Sequence, residues 1–521
     1  MAASRVLQLP LYTLFKQTLL IVNTMKIVYI SLYRFLSFPV RVLHALSRRE
    51  GVDSYALFFK DANTNIHKKV TLDEIKILLD LIASIQPDII GISLLAPYAE
   101  LTKELVPAIN KISNAPVVIG GKYPTITPER ALEFCDYACI GEGEHVMLEI
   151  FECFKNQAGY KNIKGLWYKE PNGNIVNKGQ QPLLQNLDEW PFHSVGDPQM
   201  YFIENNRLTE TDIEQYSTSI NMMAGLGCFY KCSYCVNSLL IPMNKDNGKL
   251  VRVKTPRSLV NEITHFKDRY ANPKEIYFHD EVFGVSYTWT VEFCEEYIKS
   301  DIKLPFIIEM IPKMIQEKNI ALLADAGLQG LTFGIQSGSE AVRNDILSRP
   351  GKNSELIEGA YILEKYKIKQ YYDLILQNPF ETYKDIESTL ILLSNMPEPF
   401  SLHVYKMIFF PNYPISEQAL KAGHIQDKDL TDKAIANSAI NNWVYIPKTF
   451  TTNRKQILEN CIFTLRYKKS FVRRIIKRVT YEKSVILSIF LNIIAKYYYV
   501  KDFTKLGMRG KMFVIPIPAI N

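Results

Sequence analysis

Three cysteines stand within eight residues, in the segment GLGCFYKCSYCV: Cys228, Cys232 and Cys235, spaced C-x3-C-x2-C. Three thiolates can bind three irons of a cubane 4Fe-4S cluster and leave the fourth iron without a protein ligand. An open metal position suits a catalytic site, whereas a structural site closes its coordination shell. Structural zinc asks for four ligands, usually in two pairs, and no second pair lies nearby. Gly225 and Gly227 precede the first cysteine and allow the backbone a sharp turn.

The elements around this loop must position it. From residue 213 to 425, short apolar runs alternate with helix-like segments. The strand candidates are STSINMMAG, EIYFHD, FIIEM, GLTFGI, YYDLIL and LHVYKMI, with helices expected at 255–269, 288–300, 314–326, 353–367 and 382–396. Six βα units fall short of a closed eight-fold barrel and predict a partial (βα)6 barrel. The cysteines follow its first strand.

Residues 25–155 alternate on a shorter beat. KIVYIS, YALFF, IIGIS, PVVIGG and YACIG are separated by helical stretches near 36–50, 71–85, 98–113, 126–135 and 142–155. Such runs predict a parallel, doubly wound, flavodoxin-like sheet covered on both faces. Ligands of these sheets lie beyond the carboxyl ends of the strands. Between the two units, 156–212 reads as a linker with a small hairpin turning at Asn172-Gly173.

Both ends differ from the middle. Residues 1–24 read as an extension before the natural start at Met25. Residues 426–521 read as a helical, basic region, with eight Lys or Arg and one acid (Glu482) between Arg466 and Lys483. The run SVILSIFLNIIA that follows is too short to span a bilayer. A helical cap on the barrel is the favoured reading, and an amphipathic segment lying on an anionic membrane the sharper one.

Cysteine usage and net charge limit the function classes. Eight cysteines in 521 residues, five of them scattered (Cys135, Cys139, Cys153, Cys294 and Cys461), do not form a disulfide framework, and a reduced, cytoplasmic setting fits. A net charge of +7 permits an anionic partner without requiring one.

C-x3-C-x2-C with an aromatic residue before the last cysteine resembles the signature of the radical S-adenosylmethionine (SAM) superfamily. The resemblance implies that Cys228, Cys232 and Cys235 ligate the cluster and that SAM chelates the open iron. One electron then cleaves SAM to a 5′-deoxyadenosyl radical. Tyr234 takes the place of the aromatic residue beside the adenine. YFHDEVF resembles the second-strand motif, with Asp280 at the strand end, and GIQSGSE the fourth-strand motif, placing Gln336, Ser337 and Gly338 near SAM. LILQNPFET resembles the fifth-strand turn. Taken alone, each of these is more often an ordinary strand end or turn. Their order along the chain supports the family reading.

The first unit resembles the cobalamin-binding domain fused to many radical SAM enzymes, most visibly in VVIGG and IGEGE. This implies a cobalamin site at Ser93, Gly120, Gly121, Gly141, Glu142 and Gly143. Glycines at strand ends let a bulky planar ligand reach the backbone, although βα turns also favour glycine. The D-x-H-x-x-G motif of classical cobalamin domains is absent, and none of His44, His67 or His145 stands in its context. The lower cobalt ligand is left unassigned.

The implied activity is a cobalamin-dependent radical methylation of an unactivated carbon in a small-molecule or lipid-like substrate. The electron would come from a donor such as flavodoxin or ferredoxin. Radical cyclisation or rearrangement, RNA modification and a non-catalytic sensor are the alternatives, and nothing points to DNA. Tyr371, Tyr372 and Tyr405 are expected to face the barrel cavity.

Overall fold

The computed structural model describes residues 24–61, 69–440, 453–462 and 514–517. Residues 1–23 and the segment from Arg466 through SVILSIFLNIIA, expected as an extension and a basic region, lie outside the described residues.

Five parallel strands open the fold: β1 (Lys26–Leu32), β2 (Asp53–Phe59), β3 (Ile89–Ser93), β4 (Val117–Gly120) and β5 (Tyr137–Cys139). Helices between them begin at local signals. Thr71 and Glu74 form a reciprocal capping box before the helix Leu72–Ile85. Both faces of the sheet are apolar. Val28, Ile30 and Leu32 pack with one helical layer, and Ile27 and Tyr29 with the other.

The sheet is larger than the sequence predicts. The segment 156–212, expected as a linker with a hairpin, forms the hairpin and also extends the sheet at both edges. β6 (Leu166–Lys169) and β7 (Ile175–Val176) add antiparallel beside β5. β8 (Met200–Glu204) joins β2 in parallel and carries β9 (Arg207–Thr209). The order is β7-β6-β5-β4-β3-β1-β2-β8-β9. β8 is short and far in sequence from its partner, so its pairing had no local signal. The strand order reverses between β1 and β3, where doubly wound sheets open a ligand crevice.

The second sheet orders β10 (Ser219–Met222), β13 (Glu275–Phe278), β14 (Phe306–Glu309), β15 (Leu328–Gln336), β16 (Lys369–Leu376) and β17 (Phe400–Lys406), six parallel strands as predicted. β18 (Val514–Ile517) returns from the C-terminal region and pairs antiparallel with β17. β11 (Gly225–Leu226) and β12 (Arg252–Val253) form a separate two-stranded ribbon.

The barrel strands follow a period of two, interrupted by register shifts where β14 meets β15 and where β15 meets β16. Ile220, Phe278, Phe306, Ile308, Leu331, Phe333, Tyr372, Leu374, Leu402 and Val404 point outward into the apolar layer beneath the helices. Asn221, Tyr277, Glu309, Thr332, Tyr371, Asp373, His403 and Tyr405 occupy the alternate, inward positions. Tyr372 is therefore corrected from a cavity residue to a fully buried outer one, against Phe333 and Phe400.

Part of the C-terminal region caps the barrel. Ile457, Leu458, Cys461 and Ile462 join the barrel's outer core. The helix Asp432–Ile440 instead docks on the first domain, where Asp432 receives Tyr123 Oη at 2.8 Å and Lys103 Nζ at 2.8 Å. Among the described residues no helix is long and apolar enough to cross a membrane.

Candidate functional site

The cysteine loop leaves β10 and is held from three sides. The Asp280 carboxylate, at the end of β13, accepts Ala224 N at 2.9 Å and Gly225 N at 2.6 Å. Burial lifts Asp280 to about 7, against the pull of those two N–H groups. Gly225 and Gly227 are fixed by the β11–β12 ribbon. A Cβ on Gly225 would lie 2.5 Å from Arg252 O, and one on Gly227, at φ +88°, 2.5 Å from Leu250 O. Glycine is thus required here for close backbone packing as well as for turning.

The third side is the segment after β15. Ser233 Oγ donates to Ile346 O at 2.6 Å and Ser233 N to Leu347 O at 3.0 Å. Arg349 donates to Cys232 Sγ at 3.6 Å and stacks its guanidinium over Tyr230. Tyr230 N lies 3.4 Å from Cys228 Sγ. All three cysteines are free thiols, with Cys232 buried. Burial raises Cys228 and lifts Cys235 to about 11, so metal ligation would have to displace their protons. Three free thiols stand on one anchored loop with N–H donors aimed at two of them, while among the described residues no three metal-ligating side chains converge on a single ion position. Tyr234 is half-buried and packs against the small apolar cluster of Val342, Leu347 and Ile415.

The turn after β15 gathers the next group. Gln336 sits at φ +64°, a strained conformation for a residue with a side chain. Its Oε1 is buried without a hydrogen-bond partner. Ser337 Oγ donates to Glu381 Oε1 at 2.6 Å, while Glu381 Oε2 is also buried and unpartnered. Burial lifts Glu381 to about 8. Two orphaned buried oxygens, Gln336 Oε1 and Glu381 Oε2, fit the polar groups of a bound nucleoside amino acid. Gly338 serves packing, since a Cβ there would lie 2.2 Å from Thr389 Cα.

On the first domain, Ser93 and Gly120 are register partners at the sheet rim. A Cβ on Gly120 would meet only Cys139 Cβ, at 3.7 Å, so bare backbone borders open space there. Gly143 is similar, with Cys139 and Leu43 at 3.8 Å. That open backbone is what a planar ligand would need. Gly121, at φ +101°, presses on Leu94 backbone, and Gly141, at φ +84°, on the Gln180 side chain. Glu142 forms a 2.5 Å ion pair with Arg252 of the β11–β12 ribbon, tying the IGEGE turn to the base of the cysteine loop. At the β1/β3 crevice, Tyr33 and Tyr98 stack with ring centroids 5.1 Å apart.

The two rims meet. Lys122, next to the glycine turn of β4, reaches Glu281 at 3.8 Å. Glu281 also accepts Asn237 Nδ2, two residues past Cys235, at 2.9 Å. Phe38, after β1, packs on His279 at the end of β13. Arg349, Glu381, Lys122, Asn237 and the Tyr33–Tyr98 pair were missed in the sequence. Glu381, inside NPFET, and Lys122 and Tyr98, inside the stretch 96–144 that resembles the cobalamin-binding domain, stood in segments already singled out.

A doubly wound sheet facing a partial barrel whose mouth carries three cysteines defines a two-domain radical SAM architecture. Residues 32–151 match the B12 binding domain family and residues 222–393 the Radical SAM superfamily. The chain thus carries a B12 binding domain followed by a Radical SAM domain. It is 26% identical, over 60% of its length and 64% of the other protein, to an uncharacterized methyltransferase of Pyrococcus horikoshii. It is 20% identical, over 51% of its length and 53% of the other protein, to a cytidylyl-2-hydroxyethylphosphonate methyltransferase of Streptomyces wedmorensis. The chain thus spans just under two thirds and about half of these relatives. Among solved structures, the radical SAM methyltransferase TsrM of Kitasatospora setae, with tryptophan and a SAM analog bound, superposes with a TM-score of 0.61 at 16% identity, covering 76% of each chain. The cobalamin-dependent radical enzyme OxsB, with aqua-cobalamin bound, gives 0.64 at 14% identity over 92% of this chain and 76% of its own.

Proposed function

We propose that this chain is a cobalamin-dependent radical SAM methyltransferase acting on a small molecule. Cys228, Cys232 and Cys235 would hold the 4Fe-4S cluster. Gln336, Ser337 and Glu381 would seat SAM, and Ser93, Gly120 and Gly143 would receive cobalamin. When bound, the cluster and SAM supply the radical that activates a substrate carbon, and cobalamin supplies the methyl group. The chain's own residues bind, orient and exclude water. Asp280 fixes the approach of the cysteine loop, and Arg349 places a positive charge beside Cys232. Glu142 and Arg252 hold the two units in register. A flavodoxin- or ferredoxin-type donor would supply the electron.

The observation that carries the proposal is the meeting at Glu281, which ties the glycine rim of the first sheet, through Lys122, to the cysteine loop, through Asn237. Methyl transfer between two cofactors needs that adjacency. The TsrM and OxsB folds and the methyltransferase relatives support it. Anaerobic reconstitution with iron, sulfide and hydroxocobalamin tests it. Expected are a reduced-cluster resonance altered by SAM, 5′-deoxyadenosine formation and retained cobalamin. A cluster that forms without cobalamin retention would remove the methyl-transfer step. Folded protein with no cluster would overturn the proposal as a whole.

A further inference from the structure

We infer that the barrel interior recognises its substrate through an organic cation, a protonated or quaternary amine seated against Glu309 and Asp373 and walled by Tyr277, Tyr371 and Tyr405. The inference rests on the proposed radical chemistry only for the idea that the barrel interior is the substrate chamber.

The strand period places these groups on one inward surface. Glu309 is the register partner of Thr332, and Thr332 of Tyr371, so the three lie side by side across β14, β15 and β16. Asp373 lies two residues further along β16 and pairs with His403, whose Nδ1 stands 2.8 Å from Asp373 Oδ1. Glu309, Asp373 and Tyr277 all act electrostatically on the Tyr405 phenol, so the four groups are close together. Among the described residues the only hydrogen bond to the Glu309 carboxylate is a long one from Tyr277 Oη, at 3.5 Å.

Charge in this chamber is unbalanced. Among the described residues no lysine or arginine pairs with Glu309 or Asp373. The nearby acids Asp280 and Glu281 are occupied, by backbone N–H groups and by Lys122 with Asn237 respectively. His279 bonds Asn221 at 2.7 Å and is kept neutral by burial. Two carboxylates held close in a partly dry space repel one another, and Glu309 is raised to about 8 by burial and by Asp373. A bound cation relieves both penalties.

An independent feature also asks for a ligand. Thr332 Oγ1 is buried, with the residue 2% exposed, and makes no well-formed hydrogen bond, only a loose contact with the Tyr277 phenol. A hydroxyl so loosely held between Glu309 and Tyr371 fits an ammonium N–H or a substrate hydroxyl. The Asp373 side chain keeps 22% of its exposure, so the chamber is reachable. Tyrosine faces beside carboxylates are the surroundings that bind ammonium groups by cation–π attraction.

The test uses the full chain and three probes matched in size: phenethylamine, 2-phenylethanol and 3-phenylpropionate. Dissociation constants come from saturation-transfer NMR. The amine should bind at least about ten-fold more tightly than the alcohol or the acid, given a desolvated ion pair with aromatic walls. Glu309→Gln and Asp373→Asn, made singly so that each variant's fold is checked by circular dichroism, should cut that preference to about two-fold or less. Equal or tighter binding of the acid or the alcohol, no binding of the amine, or a preference that survives both substitutions would each overturn the inference. Measuring 5′-deoxyadenosine in the same preparation separates the two claims. SAM cleavage without charge preference sinks only this one, and charge preference without SAM cleavage sinks only the radical reading.

Discussion

The two sheets are built from the same βα alternation and use it differently. In the first, strands such as β1 are apolar on both faces, with Ile27 and Tyr29 packed on one side and Val28, Ile30 and Leu32 on the other. The few polar groups along β1, such as Ser31 Oγ and Tyr29 Oη, are spent on Arg34 O and Ser47, so a ligand is met at the rim. In the barrel, one face of each strand is apolar and the other carries Asn221, Glu309, Thr332, Asp373 and His403. There the strand bodies themselves can touch a substrate. The period of a strand therefore tells where along it chemistry is possible.

The largest effect expected from breaking this arrangement is at the barrel mouth. Cys232→Ala should abolish cluster incorporation and reduce 5′-deoxyadenosine formation to background, measured by iron content and product analysis. The fold should persist, because the Cys232 thiol takes only weak contacts from Arg349 and Tyr234 among the described residues, and alanine keeps its backbone bond to Cys235 N.

At the rim of the first sheet, Gly121→Ala places a side chain at φ +101° and a Cβ 2.9 Å from Leu94 O. Strain of this kind costs about 1–3 kcal/mol before the clash is counted. Thermal unfolding should show a clear loss of stability, and cobalamin retention should fall with it. A neutral outcome would show that this turn can open.

The joint between the sheets is sharpened by Arg252→Ala. It leaves Glu142 without its ion-pair partner and frees Leu184 O, which Arg252 Nη1 now contacts at 2.7 Å. A loss of about 2–4 kcal/mol is expected for one half of a largely buried pair. Limited proteolysis between the two domains should accelerate. Lys122→Met removes a longer pair between half-exposed groups and should cost less than about 0.5 kcal/mol of stability.

A pH dependence follows from Glu214, buried where the segment after β9 meets β10 and lifted by burial from 4.5 to about 7. Between those values the folded chain holds a proton that the unfolded chain has released. Stability contributed by this group therefore falls as pH rises from about 4.5 to about 7. Glu214→Gln keeps acceptors for Tyr270 and Asn221 and should flatten that slope, read as melting temperature between pH 5 and pH 8.

Much of this was legible in the sequence. The five strands of the first unit were visible as mainly apolar runs, and the six of the barrel as short apolar-rich segments with polar residues interleaved, each bounded by helix signals. The helix expected at 255–269 is Pro256–Lys267, and the one expected at 382–396 is Tyr383–Asn395. The cysteine spacing sits on one short loop, so its donor set needed no tertiary information. The sheet's outer strands were not legible, because β8 pairs with β2 across some 140 residues and its own sequence carries no partner signal.

The sequence by itself determined the element order and the three-thiol loop, whereas it was the closed barrel that turned Glu309 and Asp373 inward and Tyr372 outward. The element order and the loop follow from local periods and spacings that any stretch of chain carries alone. The tertiary structure decided what the glycines and acids touch. Gly225 and Gly227 press on 250–253, Asp280 clamps the loop, Glu142 grips Arg252, and Lys122 meets Glu281 across two units. Each of these contacts joins residues tens to more than a hundred positions apart, and only the closed fold brings such groups within reach of a hydrogen bond.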